Sequence, residues 1–121
     1  MKYLKKYNES VISKDVIKDI CLELEDLGMR VQLYACSEKL SINPEDYDCI
    51  SIHCYINKYP IEWENIKDTV LRLKNYLGDK FISFYYESGV RYIHVDNLDE
   101  NTDINLIIGG FNIKYRNKWS T

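Results

Sequence analysis

Apolar residues recur along this chain with two different periods. From Lys14 to Leu27, Val16, Ile17, Ile20, Cys21, Leu24 and Leu27 fall at spacings of three and four, while Lys18, Asp19, Glu23, Glu25 and Asp26 lie between them. That is the pattern of a helix with one face on a core. Ser13 stands where a side-chain cap is wanted, and Gly28 where the chain closes the helix in a left-handed residue. A second stripe, Trp63, Ile66, Val70, Leu73 and Leu77, predicts a helix from about Ile61 to Leu77, ended by Gly78. Tyr59-Pro60 precedes it, at a place where proline is tolerated.

Elsewhere the period falls to two, which predicts strands with one face on the core. In Met29 to Cys36, Val31, Leu33 and Ala35 alternate with Gln32, Tyr34 and Cys36; in Tyr47 to Asn57, Ile50, Ile52, Cys54 and Ile56 alternate with Cys49, Ser51, His53 and Tyr55. Lys80 to Glu87 and Val90 to Asp96 predict a hairpin closed by Ser88-Gly89. Asn105 to Tyr115 predicts a last strand, in which Gly109-Gly110 implies a bulge or a close backbone approach. Residues 37–47, with Asn43-Pro44-Glu45-Asp46, and residues 97–103 predict loops, and 116–121 a loosely held tail. Residues 1–12 begin with Tyr3 and Lys5 alternating against Leu4 and Lys6, which fits either an edge strand or a short amphipathic turn.

The helix-and-strand pattern is written twice. Ile17-Lys18-Asp19 through Leu22 and Leu24 to Leu27-Gly28 is matched by Ile66-Lys67-Asp68 through Leu71 and Leu73 to Leu77-Gly78, and Ile52-His53 and Ile93-His94 fall in the following strands. The reading is a tandem αββ pseudo-repeat, residues 13–57 and 61–96, followed by a final strand at 105–115, within a single domain over 1–121. The fold class expected is α+β: a two-layer sandwich with two helices on one face of a mainly antiparallel sheet of about five strands. With a strand at residues 2–7, the element order would match a ferredoxin-like fold.

Composition narrows the function classes. A chain of 121 residues can bury an ordinary core without metal or disulfides. No apolar run approaches the length of a membrane span, so no membrane partner is expected. The net charge of -3 argues against a large phosphate-neutralising surface and makes nucleic acid an unexpected partner. The basic start is followed by Asn8-Glu9-Ser10 rather than an apolar stretch, so no secretion signal is expected. Cys21, Cys36, Cys49 and Cys54 form no C-x-x-C pair and are expected as reduced, mostly buried thiols in a cytoplasmic protein.

Candidate chemistry concentrates on the strand faces turned away from the helices. Tyr34, Cys36, Cys49, His53, Tyr55, Tyr85, Tyr92 and His94 alternate onto that face, where a plain solvated surface would carry Lys, Glu and Thr. Such a face suits a minor core under loops, a protein interface, or a small ligand stacked on the rings. The expected binding residues are Tyr34, His53, Tyr55, Tyr85, Tyr92 and His94. Cys36, Cys49, His53 and His94 are zinc-ligand types at the wrong spacing for a compact zinc motif, so no metal and no cofactor are expected. Cys49 and His53, four apart in a strand, stand about 13 Å apart, too far for a histidine to activate a thiol. Gly109-Gly110 lacks the lysine and following helix of a phosphate loop. No catalytic set emerges, and an enzyme is not expected.

The opening Met1-Lys2-Tyr3-Leu4-Lys5-Lys6-Tyr7-Asn8-Glu9-Ser10, with the Ile17-Lys18-Asp19 helix behind it, resembles small uncharacterised accessory proteins of tailed bacteriophages. The resemblance implies a phage accessory protein, made in the infected bacterial cytoplasm or packaged in the virion behind its leader, and carries over no catalytic residue. The function expected is binding of a host or defence component. The alternatives are a virion-packaged or structural protein, or a sponge for a small nucleotide signal. A homodimer is expected, because the repeated unit leaves a ring-rich face that one chain has no third layer to cover.

Overall fold

A computed structural model of the protein describes residues 12–35, 49–56 and 59–116. The first helix forms in two pieces, α1 (Lys14–Ile20) and α2 (Leu22–Asp26), broken at Cys21. Ser13 caps it, its Oγ accepting from the Val16 amide at 3.3 Å. The Ser13 amide donates to the Tyr76 hydroxyl at 2.9 Å, which ties the helix start to the second helix. Ile17, Cys21 and Leu24 form the buried stripe, whereas Val16 and Leu27 are 40% and 47% exposed. Val16 lies one position off the stripe, and Leu27 follows the last helical residue, where the chain has already turned outward.

After Gly28, with φ of 94°, come β1 (Met29–Ala35) and β2 (Cys49–Ile56). The loop expected at 37–47 lies outside the described residues, as do the segment 1–11 and the tail beyond Arg116. The second helix, α3 (Trp63–Leu77), starts two residues later than its periodicity suggested. Ile61–Glu62 is instead a short strand, β3, which pairs with β6 (Leu106–Ile107). A 3-10 turn, Gly78–Lys80, leads into β4 (Phe81–Ser88), which forms the expected hairpin with β5 (Arg91–Val95). Its turn is Gly89-Val90 rather than Ser88-Gly89, because Ser88 pairs with Arg91; Gly89, at φ of 64°, takes the left-handed position such turns require. The last expected strand splits into β6 and β7 (Gly110–Arg116), with the glycine pair at the break.

The main sheet has the order β1-β2-β7-β4-β5, and each neighbouring pair is antiparallel. It follows that β2 and β4 run parallel with β7 between them, joined through α3, which is a split βαβ unit. An approximate two-fold axis between β2 and β7 exchanges β1 with β4, β2 with β7, and the first helix with α3. This is the ferredoxin-like strand order with the C-terminal strand β7 in the place where that fold runs its N-terminal strand. The strand considered for residues 2–7 lies outside the described residues. In chain order the elements run αββ twice, as expected; in space the approximate two-fold matches β2 with β7, and β5 is an added edge strand.

The two-layer α+β architecture follows from one core. Ile17, Leu24, Ile66, Val70 and Leu73 from the helices meet Ile50, Ile52, Phe84, Phe111 and Ile113 from the strands, all fully buried or nearly so. Each such side chain contributes about 1.5–3 kcal/mol by leaving water. Phe84 lies against Trp63 and Phe111, with ring centroids 5.9 and 5.5 Å away. Trp63 is further held by its Nε1 donating to the Thr102 carbonyl at 2.9 Å, which fixes the acidic 97–103 loop over the end of the core. The described helices all lie on this side, so the sheet's other face is the one that no described element covers.

Candidate functional site: the open face of the sheet

The strand registers lay the open face out as a grid. One row runs Gln32, His53, Asn112, Tyr85 and His94 from β1 across to β5. Beside it, Tyr34, Ser51, Lys114 and Ser83 form a second row, and Arg30, Tyr55 and Gly110 begin a third, on the side where Glu87 pairs with Tyr92. All six residues expected from the alternation, Tyr34, His53, Tyr55, Tyr85, Tyr92 and His94, therefore share this surface. Cys36 lies outside the described residues.

The rings gather in two groups. On the first pair of strands, His53 stands 6.0 Å from Tyr34 and 5.2 Å from Tyr55, centroid to centroid. On the β4–β5 hairpin, Tyr85 and His94 are 4.8 Å apart, and Tyr92 lies alongside, 68% exposed. Mutual shading explains why Tyr55 and Tyr85 are only partly exposed although nothing described lies over them. Between the groups runs β7, whose open-face positions Gly110, Asn112 and Lys114 bear no ring. The Lys114 ammonium sits 5.5 Å from the centre of the Tyr85 ring, a cation–π contact, and Ser51 Oγ donates to Asn112 Oδ1 at 3.2 Å. The Tyr34 hydroxyl donates to Gln32 Oε1.

Two carboxylates border the rings, each beside a histidine. Glu87 Oε2 is 3.9 Å from His53 Nε2, and Asp96 Oδ1 is 3.0 Å from His94 Nδ1. His53 and Glu87 belong to strands separated by β7 and reach one another because the chain entering β7 has no side chain there. A Cβ on Gly109 would lie 2.7 Å from Glu87 Oε1, and one on Gly110 would fall on the Cys54 carbonyl oxygen and 2.7 Å from the Tyr55 Cα. The close approach expected of the glycine pair is thus real: the Glu87 side chain and the β2 backbone fill the space that side chains would take there. Backbone bonds hold the approach on both sides: the Ile108 amide donates to the Glu87 carbonyl at 3.0 Å, and the Ile56 amide to the Gly109 carbonyl at 3.1 Å.

The cysteines divide differently from expectation. Cys21 and Cys54 are free and fully buried, and burial, then the hydrogen bond and charge of Cys21, then the charge of Glu25, push the Cys54 thiol well above its usual value. Cys49, expected as a reduced thiol, is disulfide-bonded. Among the described residues no three metal-ligating side chains converge.

Alternation along the sequence did not single out Glu87, Asn112 or Lys114. The period-two pattern of Phe111, Ile113 and Tyr115 against Asn112, Lys114 and Arg116 was visible as a signal, but nothing local placed that strand in the middle of the sheet. No family model matches the chain, and neither does any curated protein or solved structure. The fold and the site define an α+β domain with a ring-lined sheet face that no described element covers. No helix among the described residues is long and apolar enough to cross a membrane.

Proposed function

We propose that this chain is a non-enzymatic accessory protein of a tailed bacteriophage that acts in the infected cytoplasm by binding a host or defence component, with the open sheet face as its contact surface. The observation that carries the contact surface is the convergence of Tyr34, His53, Tyr55, Tyr85, Tyr92 and His94 on one face left bare by the described helices. Rings with polar tips give large contact area at low entropic cost, the composition expected of a recognition surface. The phage assignment rests on the resemblance of the opening residues and the first helix. The test compares what the tagged protein and a Tyr55→Glu variant retain from an infected host. A component held by the first and lost from the second is expected; identical recovery from both would remove the face from the function.

A second reading, favoured by the exposure of Tyr34 (46%) and Tyr92 (68%), is that the surface also joins two copies of the chain in a two-fold homodimer. Light scattering should then give twice the 14.4 kDa chain mass at micromolar concentration, shifted to a single mass by Tyr85→Glu. A single-chain mass for the unaltered protein would exclude it.

A further inference from the structure

The open face departs from the rest of the molecule in charge. The whole chain carries a net charge of -3, yet Arg30, Lys114 and Arg116 all alternate onto this face, each opposite Tyr55, Ser51 or Cys49 of β2. Two carboxylates share it: Glu87 reaches over the start of β7 to His53, and Asp96 stands beside His94. The acidic runs Glu23, Glu25, Asp26 and Asp99, Glu100, Asp103 belong to the helix layer and its loop. An average over the whole sequence conceals this separation.

The arrangement of rings and cations is the second observation. Two ring groups flank a lane, β7, that carries Lys114 and Arg116 and no ring, and the groups on β2 and β4 are two strand spacings, about 10 Å, apart. A flat platform in which stacking surfaces alternate with cations fits a polymer whose planar bases alternate with phosphates. A free nucleotide would cover one ring group, and small ligands sit in concave sites. The cavity of about 280 Å³ lined by Leu71, Lys74, Leu98 and Asp99 lies between α3 and the 97–103 loop, in the helix layer.

We propose that the open face binds single-stranded nucleic acid, with bases stacked on the two ring groups and phosphates held by Arg30, Lys114 and Arg116. This rests on the reading that the open face is the working surface, and it names the chemistry of what that surface takes. Three phosphate contacts predict a slope of about -2 for log K against log salt, from about 0.7 per phosphate on a single strand.

Fluorescence anisotropy with labelled single-stranded DNA and RNA of about 12 nucleotides tests it. Saturable binding tighter than about 100 µM at low salt is expected. Tyr55→Ala and Tyr85→Ala should each weaken it at least about fivefold. Lys114→Gln should make the salt slope shallower by about 0.7. Thermal melts establish that each variant is folded. Absence of saturable binding by the folded protein, an unchanged slope in Lys114→Gln, or tighter binding of duplex would overturn the proposal, as would a mononucleotide competing as well as the oligomer. Should oligonucleotide binding be absent while Tyr85→Glu still splits a dimer, the face remains the working surface and its occupant is a second copy. With neither response, the contact-face reading falls too.

Discussion

Two adjacent glycines show how much one side chain decides. Gly110 sits at φ of 147° with the β2 backbone against it, so a methyl group there meets main-chain atoms that can yield only if β7 moves away from β2. Gly110→Ala should cost at least about 2 kcal/mol in a urea melt. At Gly109 the neighbour is the Glu87 side chain, which can swing aside, so Gly109→Ala should cost under about 1 kcal/mol while drawing Glu87 off His53. Equal losses at the two positions would contradict this account. The buried thiol supplies a pH dependence at the same scale. The folded state favours protonated Cys54, so its contribution is complete below the thiol's unfolded pKa and is lost as pH rises past about 8.5, at up to about 1.4 kcal/mol per pH unit. Burial lowers the Lys80 pKa, and this acts in the opposite sense: the folded state sheds that proton more easily, so stability is regained as pH climbs from the lowered pKa toward about 10.4. Urea melts from neutral pH upward should show Cys54→Ala losing less stability above pH 8.5 than the unaltered protein; parallel curves would disprove the assignment to Cys54.

Among the elements, the first helix depends most on its ends. Split at Cys21 into pieces of seven and five residues, it is too short to persist on propensity and is held by its cap, its three-residue stripe and its ties to α3. One tie joins Glu23 to Thr69 at 2.9 Å and to Arg72 at 3.0 Å; both charged groups are largely exposed, so the ion pair itself contributes little. Ser13→Ala removes the cap and should cost about 0.5–2 kcal/mol in a thermal or urea melt. Helix α3 is different: Trp63, Ile66, Val70, Leu73 and Leu77 cover the sheet along its whole length, and Phe84 meets it from below. Phe84→Ala should cost about 3–5 kcal/mol, more than the loss of the cap.

At the scale of the whole molecule, β7 is the keystone, because it pairs with β2 on one side and β4 on the other and comes from the end of the chain. Neither αββ unit is joined to the other in the sheet until that strand arrives. Hydrogen exchange should therefore show β7 and β2 amides opening only with global unfolding, and β5, paired on one side and followed by an exposed loop, exchanging first. Slow exchange in β5 comparable to β7 would mean that something covers that edge in solution.

What the sequence determined by itself were the elements and their faces. Binary pattern, the Ser13 cap and the glycines at 28 and 78 specify helix and strand locally, and a period of two sends Tyr34, His53, Tyr55, Tyr85, Tyr92 and His94 to one side wherever the strands finally pair. Strand order needs contacts between residues far apart in the chain, which no local pattern encodes. The tandem repeat suggested β5 as the counterpart of β2, whereas tertiary packing gave that role to β7, whose Phe111, Ile113 and Tyr115 are buried in the core beside Ile52 and Phe84. Only that choice set Asn112 and Lys114 between the two ring groups and brought Glu87 to His53 over the side-chain-free glycine pair.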